Sequence, residues 1–271
     1  MLTTAAYGVS YDPLMNAVEH VTAMLSRCGT PAGVMPPTAL FNEGWMLRLV
    51  LHWASHHPTS IEPLTFVEGS RWYSEALLPS RFRPRHRGDE AGEGHTHADG
   101  VIGHFQLRGS RGDIELLTDA RQLTVIEAKM ASGLSGGTTR AKDFNQAARN
   151  VACIAHLVSS AAIPAVQMTR IGFVLLAPRA RIDAGVFGAM EKAAICEAVA
   201  RRAEQFDADA VAWRQASFDT LMPSCTISAL PWESVVTDIQ AIDPSFGETL
   251  MDFYLKCLQH NPLRAATGRD R

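Results

Sequence analysis

Glu127 and Lys129 stand two residues apart at the end of the apolar run "QLTVIEAKM". In an extended strand, side chains alternate between faces, so these two opposite charges share one face and Ala128 takes the other. Two chemistries fit that spacing. One is an in-strand ion pair at a sheet edge, worth about 0 to 1 kcal/mol when exposed. The other is a metal-ligand carboxylate beside a lysine that holds a reacting water or phosphate. The second needs more oxygen ligands, because a divalent cation takes two or more hard oxygens. Asp99, which enters the strand "ADGVIGHF" from a polar loop, is one candidate, and Glu43 in the apolar segment "TALFNEGWMLRLVLHWASH" is another. As single residues, a turn-forming Asp and a satisfied polar Glu are the ordinary readings of the two.

The elements that must position these residues follow from periodicity. Leu14, Val18, Val21 and Leu25 recur at spacings of three and four within residues 12–28, with Asp12 before Pro13 as a cap signal, which predicts an amphipathic helix. A second helix is expected from Thr38 to about His56. From about Arg71 to Met130, four short apolar segments ("RWYSEALL", "ADGVIGHFQL", "DIELL", "LTVIEAKM") are separated by Gly, Pro, Asp and Arg clusters, the pattern of an antiparallel meander. The polar stretch "PRHRGDEAGEGHTH" between the first two reads as a mobile loop, and "ASGLSGGTT" after Met130 as a flexible connection. A helix over 141–160, with Phe144, Ala148, Val151, Ala155 and Val158 inward, precedes "RIGFVLLAPR" at 170–179, a continuous apolar run suited to a buried strand. Helices at about 185–206 and 244–259 and a short strand near 224–230 complete an α/β chain without an evident linker. One domain over 1–271 is the simplest organisation.

Composition removes several classes. With 46% hydrophobic residues the chain can bury a sizeable core. No apolar run of about 18 residues and no basic-then-apolar leader is present, so a cytoplasmic protein without a membrane span is expected. Five scattered cysteines form no CxxC pair and are expected to be reduced, buried small hydrophobes. The formal charge of −3 gives no global attraction to a polyanion. Locally, Arg81, Arg83, Arg85 and Arg87 occupy every second position of "SRFRPRHRG" and, if the backbone is extended, form a phosphate-tracking ridge; a solvated basic loop is the alternative. His95 and His97 could line one side with Asp99 as transition-metal ligands, but third and fourth partners are lacking. His52 and His56 lack the glutamate of a zinc-protease helix, "SGLSGGTTR" lacks the Lys-Ser/Thr of a P-loop, and no nucleophile elbow is present.

In order, Glu43 on an early helix, Asp99 at a strand start, the strand ending Glu127-Ala128-Lys129, and a helix with an inward Gln146 resemble the PD-(D/E)XK nuclease superfamily. The resemblance spans about residues 40–180. Three departures stand out: Ala98 replaces the proline before the aspartate, 28 residues separate Asp99 from Glu127, and Asn150 stands where one branch has tyrosine four residues after the glutamine. Asp113 and Glu115 on "GDIELL" are rivals for the metal-binding aspartate, with Asp99 preferred for its better strand start. The resemblance implies a restriction-endonuclease-like core, a central mixed sheet flanked by helices with additional helices at both ends. It implies Mg²⁺-dependent hydrolysis of a nucleic-acid phosphodiester, DNA in preference to RNA, with Mn²⁺ as a substitute. Asp99 and Glu127 would hold the ion, Glu43 would bind it directly or through water, Lys129 would orient the attacking water, and Gln146 would position the substrate backbone or the lysine. A homodimer stays open, and the alternative is a catalytically inactive subunit of the same fold that binds nucleic acid or protein.

Overall fold

The computed structural model describes residues 17–89, 91–137 and 141–262. The chain begins with α1 (Ala17–Leu25) and α2 (Glu43–His56), then runs through β1 (Arg71–Leu78), β2 (Thr96–Gly103), β3 (Phe105–Arg108), β4 (Asp113–Leu116) and β5 (Gln122–Ala128). It continues through α3 (Gln146–Ser160), β6 (Arg170–Ala177), α4 (Arg179–Asp183), α5 (Lys192–Phe206), α6 (Ala208–Trp213) and, after a π turn at Arg214–Phe218, α7 (Asp219–Leu221). Strand β7 (Thr226–Pro231) and helices α8 (Trp232–Ile242) and α9 (Pro244–His260) end it. The expected helix over 12–28 is described only from Ala17, and its Asp12 cap, like Thr138 and Thr139 of the glycine-rich connection, lies outside the described residues. Among the described residues, no helix is long and apolar enough to cross a membrane.

Seven strands form one mixed sheet in the order β3-β4-β1-β2-β5-β6-β7. Strands β1, β2 and β5 pair antiparallel in turn, whereas β6 and β7 run parallel to β5. Helices cover both faces of the centre, which is why β5 and β6 are apolar on both sides rather than alternating. One face carries α3 and α5, with Val101, Leu123, Val125 and Phe173 beneath them; the other carries α2, α8 and α9 over Ile102, Ile126, Ala128 and Val174. Local signals start the helices at fixed points. The Asn42 side chain accepts the Trp45 N–H at 3.0 Å, Asn145 accepts that of Ala148 at 3.0 Å, and Asp243 accepts that of Phe246 at 3.0 Å.

The meander differs from expectation in its middle. "ADGVIGHFQL" is two strands, broken at His104, and β3–β4 form a hairpin carried to the outer edge of β1, where β4 pairs parallel to it through Leu77 and Asp113. The turn that closes the hairpin takes positive φ at Gly109 and Gly112; a Cβ on Gly112 would sit 2.9 Å from the Tyr73 ring, so that position needs glycine on two counts. The segment read as a mobile loop is tied down. Glu93 pairs with Arg202 of α5 at 2.9 Å, both nearly inaccessible, and the guanidinium lies 4.9 Å from the Phe82 ring centre. Burial pushes the Glu93 carboxyl above its usual range while Arg202 pulls it down.

A buried pair of this kind is costly to break from one side. Arg202→Met is therefore expected to lose about 3 kcal/mol in urea titrations, by leaving a carboxylate unpaired in the core, and adding Glu93→Gln should restore most of it. A single variant that loses under about 1 kcal/mol would mean that α5 does not hold the loop.

Candidate active site

Strands β2 and β5 pair from Gly103↔Leu123 to Gly100↔Ile126 and then part. The next residues, Asp99 and Glu127, face across the fork, and the Asp99 carboxylate takes the backbone N–H that parting leaves open one residue farther on: Ala128 N donates to Asp99 Oδ2 at 2.8 Å. On the other flank of Asp99 the ladder with β1 is also interrupted. Ser74 pairs with Gly100 and Ala76 with Ala98, while Glu75 between them has φ 55° and turns its carboxylate to Arg48 on α2, 3.0 Å away. A left-handed backbone costs a non-glycine residue about 1 to 2 kcal/mol, and such outliers gather where a site over-determines the chain.

Glu127 points from β5 toward α3 and is fully buried. Its Oε1 accepts from Lys129 Nζ at 2.5 Å and from Gln146 Nε2; its Oε2 lies 3.4 Å from Asn150 Nδ2. Burial, then the nearby Asp99 charge, pushes the Glu127 carboxyl up to about 8, and Lys129 opposes the rise. Gln146, the first residue of α3, is held in turn because its Oε1 accepts from Ser135 N at 3.1 Å. The chain beyond β5 is fixed by Trp232 of α8, whose indole N–H donates to the Lys129 carbonyl at 2.9 Å.

Asp99, Glu127, Lys129 and Gln146 thus come together. The rivals do not join them: Asp113 pairs with His95 at 3.1 Å, and Glu115 with Arg108 and Gln106, on the outer hairpin. Glu43 makes no hydrogen bond or ion pair with them among the described residues. It opens α2, which packs on the sheet face opposite α3, and its charge acts on Cys257 of α9. Among the described residues no group of three or more His, Cys, Asp or Glu side chains could hold a metal, so Glu43 does not complete a three-carboxylate set, and His95 and His97 do not either.

The arginine ridge is not extended. Residues 81–88 lie in turns, and Asp89 closes them by accepting the backbone N–H groups of Arg85 at 3.0 Å and Ala91 at 3.1 Å. The Arg85 side chain, though exposed, folds back on Asp89 and on the Phe206 carbonyl, Arg81 is half-buried, and Arg83 and Arg87 are exposed. Asn150 had been marked only as a departure; its spacing of four from Gln146 on one helix face was the signal that it reaches the same carboxylate. Its Oδ1 is buried without a partner.

Two carboxyls, one of them desolvated, thus meet a lysine and two amides at the end of a strand fork. Comparison with family models, with curated proteins and with solved structures gave no match.

The raised Glu127 value has a definite sign. Above about pH 4.5 the unfolded chain has lost this proton while the folded one keeps it up to about 8, so folding stability is fully present below 4.5 and is lost as pH rises through that window. In chelator, the midpoint of denaturant unfolding should fall between pH 5 and 8, by a contribution on the order of 3 kcal/mol, and Glu127→Gln should flatten the slope. An unchanged slope in the variant would place the titration elsewhere.

Proposed function

We propose that the protein is a metal-dependent nuclease that hydrolyses nucleic-acid phosphodiester bonds, DNA in preference to RNA, and that it belongs with the PD-(D/E)XK nucleases. The observation that carries this reading is the meeting of Asp99 with the buried Glu127 across the strand fork, with Lys129 two residues on. Support comes also from chain order. A helix (α2), three strands in an antiparallel meander (β1, β2, β5), a helix (α3) and a strand parallel to the third (β6) are the parts expected of a restriction-endonuclease-like core, here with the β3–β4 hairpin inserted.

The donor set suits Mg²⁺ or Mn²⁺. Two hard carboxylate oxygens in the same place repel each other, which is part of what lifts Glu127, and a divalent cation would relieve that repulsion. Asp99 and Glu127 would hold it; Mg²⁺ keeps several waters, so two protein ligands suffice. When bound, the ion supplies charge against a phosphate oxygen and lowers the pKa of a coordinated water. The protein's own groups do the remainder. Gln146 and Asn150 keep the Glu127 carboxylate aimed, the Ala128 N–H keeps Asp99 turned into the fork, and Lys129 presents its ammonium to the water or the phosphate. A positive charge already in place at the reacting phosphate stabilises the transition state without reorganisation.

A second reading is favoured by the direct closure of Lys129 on Glu127, beside which no three-ligand group is found among the described residues. It makes the protein a catalytically inactive nuclease-fold subunit. Lys129→Met and Glu127→Gln separate the two. Both are expected to cut linear, circular and single-stranded DNA in Mn²⁺ at least about 10²-fold more slowly than wild type, with folding retained. Wild-type rates in both variants, or no divalent-ion binding by the wild type, would leave the pair as a salt bridge and the chain as a scaffold.

A further inference from the structure

A second cleft lies on the α3 face of the sheet, of about 770 Å³, a size typical of small-ligand sites. It is lined by none of Asp99, Glu127, Lys129 or Glu43. The edges of Ile114 and Leu116 of β4 and Leu157 of α3 make its apolar floor, and its rim carries Arg83, Arg108 at the end of β3 and Arg111 of the β3–β4 turn, together with the carboxylates of Asp113 and Glu115.

The rim cations differ in what already occupies them. Arg108 is paired with Glu115, and Arg111 is loosely paired with Asp113, at 3.7 Å. Among the described residues Arg83 pairs with no carboxylate, and its one hydrogen-bond contact is His95 Nε2, at 3.4 Å. That same nitrogen lies 3.1 Å from Asp113 Oδ1, and a ring nitrogen that donates a proton to Asp113 has no lone pair to accept from Arg83. The Arg83 fork, which lines the cleft, is therefore left without an acceptor among the described residues. Arg81 has no hydrogen-bonded or ionic partner among the described residues, and it and Arg83 both act on the half-buried His156. Burial first, and then these two charges, push that imidazole down to about 4, so it is neutral at physiological pH and leaves the cleft's cations to the arginines.

Resting on the nuclease reading, we infer that this cleft binds one unpaired nucleotide of the substrate strand, its phosphate on Arg83 and its base against Ile114, Leu116 and Leu157. An apolar floor beneath a free guanidinium matches a group that carries a flat ring and a phosphate together. Bases in a duplex are stacked on each other, so only an unpaired one can lie on the floor. The distance fits a single strand that runs on from the cutting centre: Gln146 touches Glu127 and His156 lines the cleft, ten residues farther along α3, about 15 Å at 1.5 Å per residue.

The test uses the full chain in chelator, with a fluorescein-labelled ten-nucleotide single strand, its duplex, and a nucleoside 5′-monophosphate as probes, read by anisotropy or competition across salt. Wild type should favour the single strand over the duplex. Arg83→Gln should weaken single-strand binding about tenfold and reduce the slope of log K against log salt by about 0.7, one phosphate. Ala161→Phe, or Ser160→Phe if that variant fails to fold, should obstruct the cleft at unchanged charge and weaken binding comparably, whereas exposed Arg87→Gln should leave affinity within about twofold. The inference is overturned if Arg83→Gln and the blocking variant bind as wild type, if Arg87→Gln loses as much as Arg83→Gln, or if the mononucleotide binds as tightly as the strand. Cleavage, assayed separately in Mn²⁺, distinguishes the two levels. A wild type that cuts while both cleft variants bind normally overturns the cleft and leaves the nuclease reading, and a wild type that binds through the cleft but never cuts does the reverse.

Discussion

A carboxylate with no exposed surface at the centre of a sheet is the constraint on which the rest depends. Glu127 is desolvated by α3 above and by β2 and β6 on either side, and an isolated buried charge of this kind is costly enough that the group shifts its pKa rather than remain ionised alone. Each neighbour can be understood by what it does for that carboxylate. Lys129 supplies opposite charge, Gln146 and Asn150 supply N–H donors, and Asp99 supplies a second negative charge that raises its pKa further. A structure intended only for stability would place an apolar residue there. The proposed nuclease chemistry gives the repulsion a purpose, since a cation is what two such groups lack.

The fork in the sheet makes the arrangement possible. If β2 and β5 stayed paired beyond Gly100 and Ile126, Ala128 N–H would belong to the ladder and Asp99 would have no reason to turn inward. The left-handed Glu75 interrupts the ladder on the other side, so the residue that carries the first carboxylate has no regular strand partner at its own level. On the far face, α2 and α8 pack Leu47, Leu51 and Trp232 under the same strands, and the Trp232 indole holds the carbonyl of Lys129. The rigidity of the centre therefore comes from a layer that contributes no side chain to it.

How much of this was legible depends on whether a local rule decided the outcome. Strands β1, β5 and β6 follow from their apolar runs, and Asp99, Glu127, Lys129 and Gln146 follow from strand ends and helix faces. Where a longer-range contact decided, the reading went wrong. His104 breaks an apparently continuous strand because its backbone is taken by Gln122 and Leu117. Helix α8 starts straight after Pro231 without a side-chain cap, and α6 and α7 are short, so none of the three announced itself. The alternating arginines assumed an extended backbone, which the Asp89 turn replaces.

The central claim is an exchange at Glu127, in which a divalent cation takes the place of the proton and of the Lys129 ammonium. Anomalous diffraction from a crystal soaked in Mn²⁺ reads that exchange at the atoms. The expected result is an ion about 2.0 to 2.6 Å from oxygens of both Asp99 and Glu127, with Lys129 Nζ withdrawn from Glu127 Oε1. A crystal at saturating Mn²⁺ with no anomalous density in the fork and the Lys129–Glu127 pair unbroken would contradict it.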